Sequence, residues 1–241
     1  LKQEEIEQKL TITYEVDGQP IKLSPKIVQE YLVNGNAKIT NPEYKLFTEL
    51  CKARKLNPFL KEAYIIKYSA SNPASIVVGK DAILKRAVLN PKYYGMKSGI
   101  YVTNETGEVI KRNGTFKLPN ETLVGGWAEV FRKDWENSIE SSVSLDEVAQ
   151  KKSDGTFNSS WAKQPATMIE KVAKVRALRE TFVEDLGGMY DADEMNIDLP
   201  DVPEEEKIIQ IDEEVADAEI VEEHTKTDSN SDFEQVNINE L

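Results

Sequence analysis

The hydrophobic and polar positions along this 241-residue chain predict short strands and helices in alternation. Residues 11–16 and 21–23 alternate as strands do, and Asp17-Gly18 between them is typical of a turn. Ser24-Pro25 predicts an N-cap with proline at the first helical position, so a helix is expected over residues 26–33. We group this hairpin and helix as an N-terminal segment, residues 1–36.

Two further helices and two strands are predicted next. Thr40 and Glu43 have the spacing of a capping box and open a helix that runs to about Lys55. Asp81 is placed to cap a second helix, which ends before Asn90-Pro91. The two strands lie between these helices, over residues 63–68 and 75–78.

The remaining pattern fixes the fold class that we expect. Strand signals dominate residues 93–144, and the longest helix covers residues 165–182. Residues 195–241 are acidic with scattered apolar positions, and we expect most of this tail to be disordered. Residues 37–194 therefore form the predicted core. Its class is α+β, an antiparallel sheet with helices packed on one face.

Charge divides the chain into two parts. Residues 191–241 hold 19 acidic side chains and two lysines, a net charge of −17. The whole chain is −13, so residues 1–190 must carry +4. Within that part, residues 45–97 hold 11 basic side chains against three acids. A basic patch of this kind is typical of a nucleic-acid-binding surface, although a solvated lysine-rich face is the commoner explanation.

Several kinds of chemistry are excluded or disfavoured by the sequence. The single histidine, His224, lies in the acidic tail, which argues against histidine-based catalysis and metal binding. Gly79-Lys80-Asp81 lacks the hydroxyl residue and the first glycine of a P-loop. The lone Cys51 can form no intramolecular disulfide, and no apolar run is long enough to span a membrane. An enzyme is therefore not expected.

The longest predicted helix carries the strongest positive signal. Arg179 falls within the apolar arc of this helix, and three further cations lie nearby, Lys171, Lys174 and Arg176. An arginine in that position must be paired, because burial of an unpaired charge is costly. It either forms a buried pair with a carboxylate or faces a phosphate at the floor of a groove.

Aromatic residues are interleaved with lysines, as in proteins that bind single strands. Most are expected in the core, since alternation in a strand buries every second side chain. Tyr68 and Tyr93 or Tyr94, at the ends of elements, are the better candidates for stacking on bases.

Short motifs then appear in a recognisable order. Residues 56–64 read Leu-Asn-Pro-Phe-Leu-Lys-Glu-Ala-Tyr, and further blocks follow at residues 77–81, 94–96, 131–134, 161–179 and 188–194. This series resembles the phage RecT/Bet (Red beta) family of single-strand DNA annealing proteins over residues 43–194. The resemblance implies a prophage protein in the cytoplasm of a bacterial host cell. It also makes the predicted core a DNA-annealing core, in which the long helix lines a basic groove.

The resemblance also implies the activity and the partners. Such proteins anneal complementary strands without ATP and assemble into rings or helical filaments on single-stranded and annealed duplex DNA. A phage exonuclease and the host single-strand-binding protein are candidate partners, although the tail is a weak match to the domain that would bind them. No cofactor is required, with magnesium expected at most to modulate DNA binding, and no membrane is involved.

Position by position, the family's DNA-contacting cations fall on Lys61, Lys133 and Arg179, with Lys67 in addition. Ala166 and Val172 stand where the Red beta branch has lysines, so Lys163, Lys171 and Lys174 are expected to supply those contacts. The full set of predicted DNA-binding residues is Lys61, Lys67, Tyr68, Lys80, Lys97, Arg132, Lys133, Lys163, Lys171, Lys174, Arg176 and Arg179. A plain single-strand-binding protein and a metal-dependent nuclease are the alternatives.

Overall fold

The computed structural model describes residues 8–152 and 154–195. The N-terminal hairpin pairs strand β1 (Ile12–Val16) with β2 (Gln19–Leu23), as the alternation predicted. Ser24 caps the short helix α1 (Pro25–Ile27), because its hydroxyl accepts the Ile27 N–H. The predicted helix then continues as a π-helix, Val28–Leu32.

A second sheet of three strands follows. Strand β3 (Val33–Asn34) lies parallel to β4 (Ala63–Ile66), which is antiparallel to β5 (Ser75–Val78). Helix α2 (Asn41–Arg54) connects β3 to β4 and begins with the predicted capping box. Helix α3 (Lys80–Leu89) follows β5; Gly79 is its N-cap, and Asp81 lies in the first turn. The expectation that Asp81 caps this helix was therefore wrong.

A third sheet holds four antiparallel strands in the order β7-β6-β8-β9. These strands are β6 (Tyr93–Thr103), β7 (Val109–Asn113), β8 (Thr122–Arg132) and β9 (Ile139–Ser144). Two short helices, α4 (Leu145–Val148) and α5 (Ser159–Lys163), lead to the long helix α6 (Pro165–Thr181), and α7 (Val183–Leu186) follows.

Helix α6 packs closely on one face of the four-stranded sheet, across β6, β8 and β9. A glycine makes this approach possible, because a Cβ on Gly126 would lie 2.6 Å from the carbonyl oxygen of Ile169. Side chains from α6 and all three sheets join one hydrophobic cluster, which includes Ile65, Ile100 and Leu178. Cys51 of α2 is fully buried in this cluster.

The predicted α+β class is confirmed: antiparallel sheets and helices make up the described part of the chain. The predicted single sheet is divided into three, and the β3–β4 pair is parallel. Apart from Met195, the tail predicted over residues 195–241 lies outside the described residues. The segment boundaries at residues 36 and 194 stay predictions.

Candidate nucleic-acid interface

Two of the predicted cations lie side by side at one end of the β4–β5 pair. Lys61 ends a 3₁₀ turn, Pro58–Leu60, in the left-handed conformation with φ 58°. The Gly79 N–H donates to the Glu62 carbonyl at 3.0 Å, which brings Lys80, the next residue, beside Lys61. Both lysines are exposed, and the Lys80 ammonium lies 3.6 Å from the exposed Asp81 carboxylate.

A second exposed group, which we call the strand-end pocket, lies where β6 begins and β8 ends. A cavity of about 330 Å³ is lined there by Tyr94, Phe131, Lys133 and Trp135. The Lys97 ammonium lies 5.4 Å from the centre of the Phe131 ring. Tyr94 is 73% exposed and Trp135 is 42% exposed. Aromatic faces with adjacent cations suit a nucleobase and its phosphate.

Arg132, beneath this pocket, belongs to the interior of the protein. Its guanidinium donates to both Asp134 carboxylate oxygens at 2.9 Å and to the Thr181 carbonyl at 2.8 Å. It also stacks 4.2 Å from the centre of the Trp135 ring. Only 7% of Arg132 is exposed, so it joins β8 to the end of α6 and offers little surface to a phosphate.

Lys67 is likewise buried in this structure, in contrast to its predicted contact with DNA. Its ammonium donates to both carboxylate oxygens of Glu43, at 2.7 and 2.6 Å. Burial raises the pKa of Glu43, but the bonds from Lys67 and from the Thr40 and Ala74 N–H groups outweigh it and lower the pKa to about 2. Lys67 therefore connects β4 to the start of α2 and does not face solvent.

Two cations of α6, Lys171 and Arg179, are neutralised by the chain that follows α7. Arg179 forms a bidentate pair with Glu194, with both N···O distances at 2.6 Å. Lys171 bonds Asp191 at 2.6 Å and also bonds Asp193. We call residues 189–195 the C-terminal strap. Two interpretations were open for Arg179. In the structure it forms the buried pair with a carboxylate, that of Glu194.

The three other predicted cations are spread around α5 and α6. Lys174 pairs with Glu170 one turn earlier at 3.0 Å, and the Ser98 hydroxyl of β6 also donates to that carboxylate. Arg176 points towards Glu147 at 4.0 Å. Lys163 is exposed at the end of α5. These side chains do not join the Lys61–Lys80 pair or the strand-end pocket in any contact that the structure records.

Two tyrosines lie along the outer face of β4 and its extension. Tyr68 is half exposed, and a Cβ on Gly35 would lie 3.3 Å from its ring. Tyr64 is partly buried beside the strap, and burial, followed by the charge of Asp191, raises its pKa to about 12. This face therefore places the Tyr64 ring near Lys171.

Sequence reasoning missed one basic cavity. Arg54, Lys55 and Arg86 line a second space of about 330 Å³, together with Leu89 and Asp185. Arg54 donates to the carbonyls of Glu184 and Asp185 at 2.9 Å, and Arg86 donates to the Lys55 carbonyl. All three lie in the basic stretch of residues 45–97, and the charge of that stretch was the sequence feature that could have indicated the cavity.

No group of three or more His, Cys, Asp or Glu residues is arranged to hold a metal ion within residues 8–152 and 154–195. In the same residues, no helix is both long and apolar enough to cross a membrane.

Comparison with known proteins identifies the family. No curated protein gives a significant match to the chain. The model of the RecT family, however, matches residues 18–211, from the second strand of the hairpin through the three-stranded and four-stranded sheets, α6 and the strap. This match covers most of the chain and includes every residue of the predicted interface. The chain therefore belongs to the RecT family, whose members bind DNA and anneal single strands in recombination.

Proposed function

We propose that this protein pairs complementary single strands of DNA without ATP and acts as an oligomer assembled on the DNA. The RecT match over residues 18–211 is the observation that carries this proposal. The exposed cations and aromatic rings support it, because they are the groups that hold a sugar–phosphate chain and stack on bases without reading sequence.

The phosphate contacts are assigned first to the cations that lie in solvent. Lys61, Lys80, Lys97, Lys133 and Lys163 are exposed. Lys67 and Arg132 are left out of this assignment because each is buried against its own carboxylates. Tyr68 and the strand-end pocket are assigned to the bases. Sequence would then be read by base pairing between strands and not by the protein.

The direct test mixes two complementary labelled oligonucleotides with the purified protein in the absence of nucleotide. Annealing is followed by energy transfer between the labels, and assembly is followed by mass measurement on oligonucleotides of increasing length. We expect faster pairing than in protein-free buffer and complexes that grow with DNA length. If the protein binds each strand but does not accelerate pairing, it is a plain single-strand-binding protein.

The same samples test the remaining alternative. Incubation of labelled duplex with magnesium should leave its length unchanged. Shortened products would instead assign a nuclease and overturn the proposal. Magnesium is expected to alter DNA affinity at most, because cations compete for the phosphates that the lysines would hold.

A further inference from the structure

The C-terminal strap occupies the basic face of α6 with carboxylates. Asp191, Asp193 and Glu194 all approach Lys171 or Arg179 within hydrogen-bonding distance. The side chains of Asp191 and Glu194 are only 4% and 3% exposed, so these contacts are made largely out of water. Charge-assisted bonds of this kind are stronger than neutral ones.

The strap resembles a bound single strand in its chemistry. Its carboxylate oxygens lie on the two cations as phosphate oxygens would. The ring of Tyr190 lies 4.4 Å from the Arg179 guanidinium, the arrangement in which a nucleobase stacks on an arginine. The Val78 N–H donates to the Tyr190 carbonyl at 2.8 Å, which places the strap along the edge of β5.

We infer that the strap is an intramolecular mimic of single-stranded DNA, and that DNA displaces it to reach Lys171 and Arg179. This inference rests on the proposed function, since it assigns to these two cations the phosphate contacts of the same annealing activity. Displacement would also uncover Tyr64, which together with Tyr68 would give the exposed groove two aromatic rings.

Charge distinguishes this arrangement from one in which the acids only orient the cations. Three carboxylates face two cations, so the site with the strap in place carries a net negative charge that repels a phosphate. Burial raises the pKa of Asp193 against the opposing effect of Lys171, and the nearby Asp191 adds to the rise. A phosphate can therefore bind there only after the acids have moved.

The apolar contacts of the strap permit partial release. Met189 is fully buried and anchors the start of the strap. Beyond it, only Ala192 adds an apolar side chain to the cluster with Ile66 and Val77. Residues 190–195 are therefore held by ion pairs, which a polyanion can replace, and by the Val78 and Gln150 bonds to the carbonyls of Tyr190 and Ala192.

The decisive experiment neutralises the strap and measures DNA affinity. The variant Asp191→Asn/Asp193→Asn/Glu194→Gln keeps the size of the three side chains and one acceptor oxygen in each, but removes their charge. Binding of a labelled oligothymidine is measured by fluorescence anisotropy at low salt. We expect binding to tighten several-fold relative to the unaltered chain.

A matched control is available on the third sheet. Glu121 forms another buried bidentate pair, with Arg112 of β7, and accepts the Leu118 N–H at 2.8 Å. Glu121→Gln should leave DNA affinity unchanged. Weaker binding in the strap variant would mean that the acids position the cations, and equal binding would mean a structural role only. Either result overturns the inference.

Hydrogen exchange on the unaltered chain keeps the inference testable even if the variant does not fold. Backbone amides of residues 190–195 should exchange faster after addition of oligothymidine, because the strap is released. Slower or unchanged exchange in bound protein would contradict release. If the chain binds no single-stranded DNA, the proposed function itself fails, which these measurements distinguish from failure of the strap inference.

Discussion

At the scale of single residues, neighbouring positions have opposite roles. Arg132 is buried in a network of bonds to Asp134, Thr181 and Glu184, whereas Lys133 is exposed beside it. A basic pair in sequence therefore divides into one residue that stabilises the fold and one that is available to a ligand.

Alanine substitutions should separate these roles. Arg132→Ala loses several charge-assisted bonds and should lower the free energy of unfolding by about 3 kcal/mol. Lys133→Ala should leave that free energy within about 0.5 kcal/mol and should weaken DNA binding equally for all sequences. Urea unfolding and oligonucleotide titration measure the two effects. A folded Lys133→Ala protein with full affinity would remove this lysine from the interface.

Trp135 offers a direct optical report on the strand-end pocket. Of the three tryptophans in the chain, Trp135 is 42% exposed, whereas Trp127 and Trp161 are buried. A base that stacks in the pocket should quench Trp135 fluorescence. We expect oligothymidine to quench the unaltered chain and the Trp127→Phe control, but not Trp135→Phe. Quenching that survives in Trp135→Phe would place the bases elsewhere.

At the scale of elements, the start of α2 is joined to β4 by one carboxylate. Glu43 accepts the Thr40 N–H of the capping box at 2.7 Å and also neutralises the buried Lys67. Because the pKa of Glu43 is lowered to about 2 in the folded state, its stabilising effect is complete above its ordinary pKa of 4.5. That effect is lost as pH falls from about 4.5 through about 2.

Glu43→Gln should therefore destabilise the protein at neutral pH and remove this part of its acid sensitivity. We expect a loss of about 3 kcal/mol near pH 7, because Lys67 is left buried without a counter-charge. The loss relative to the unaltered chain should shrink as the pH approaches 2. Glu49→Gln, at an exposed position of the same helix, is the control. Equal pH profiles for unaltered and Glu43→Gln proteins would contradict the assigned role.

Local elements were predictable where their determinants are close in sequence. Both capping-box bonds join residues three apart, so Thr40 and Glu43 revealed the start of α2. The cap of α3 was predicted at the wrong residue, two positions too late. Its N-cap is Gly79, which has no side chain that could be recognised in the sequence as a cap.

The charge partners in the site could not be predicted in this way. Glu194 pairs with Arg179 across 15 positions, and Glu43 pairs with Lys67 across 24. Only the folded positions of α2 beside β4, and of the strap beside α6, bring these groups together. Composition correctly marked residues 45–97 as basic, but it could not show which lysines are already neutralised.

At the scale of the whole molecule, the distribution of charge should control DNA binding at long range. Residues 196–241 carry 16 acids and two lysines, so their deletion changes the net charge from −13 to +1 and leaves the strap acids in place. We expect the deletion to tighten DNA binding at low salt through loss of repulsion.

The salt dependence checks this explanation. The difference in DNA affinity between the deleted and full-length chains should disappear above about 0.1 M salt, because charges separated by more than about 10 Å are then screened. A chain with a Gly/Ser linker of equal length in place of residues 196–241 should behave like the deletion. If the linker chain instead binds like the full-length chain, bulk and not charge is responsible.

The buried position of Cys51 has a practical consequence for site-specific labelling. Burial raises the pKa of this thiol to about 12, so almost none of it is the reactive thiolate at neutral pH. Because the chain has no other cysteine, one introduced on the surface would be the sole ready target for a maleimide dye. A protein for single-molecule fluorescence could then be made with this one substitution, and Cys51 would not have to be replaced first.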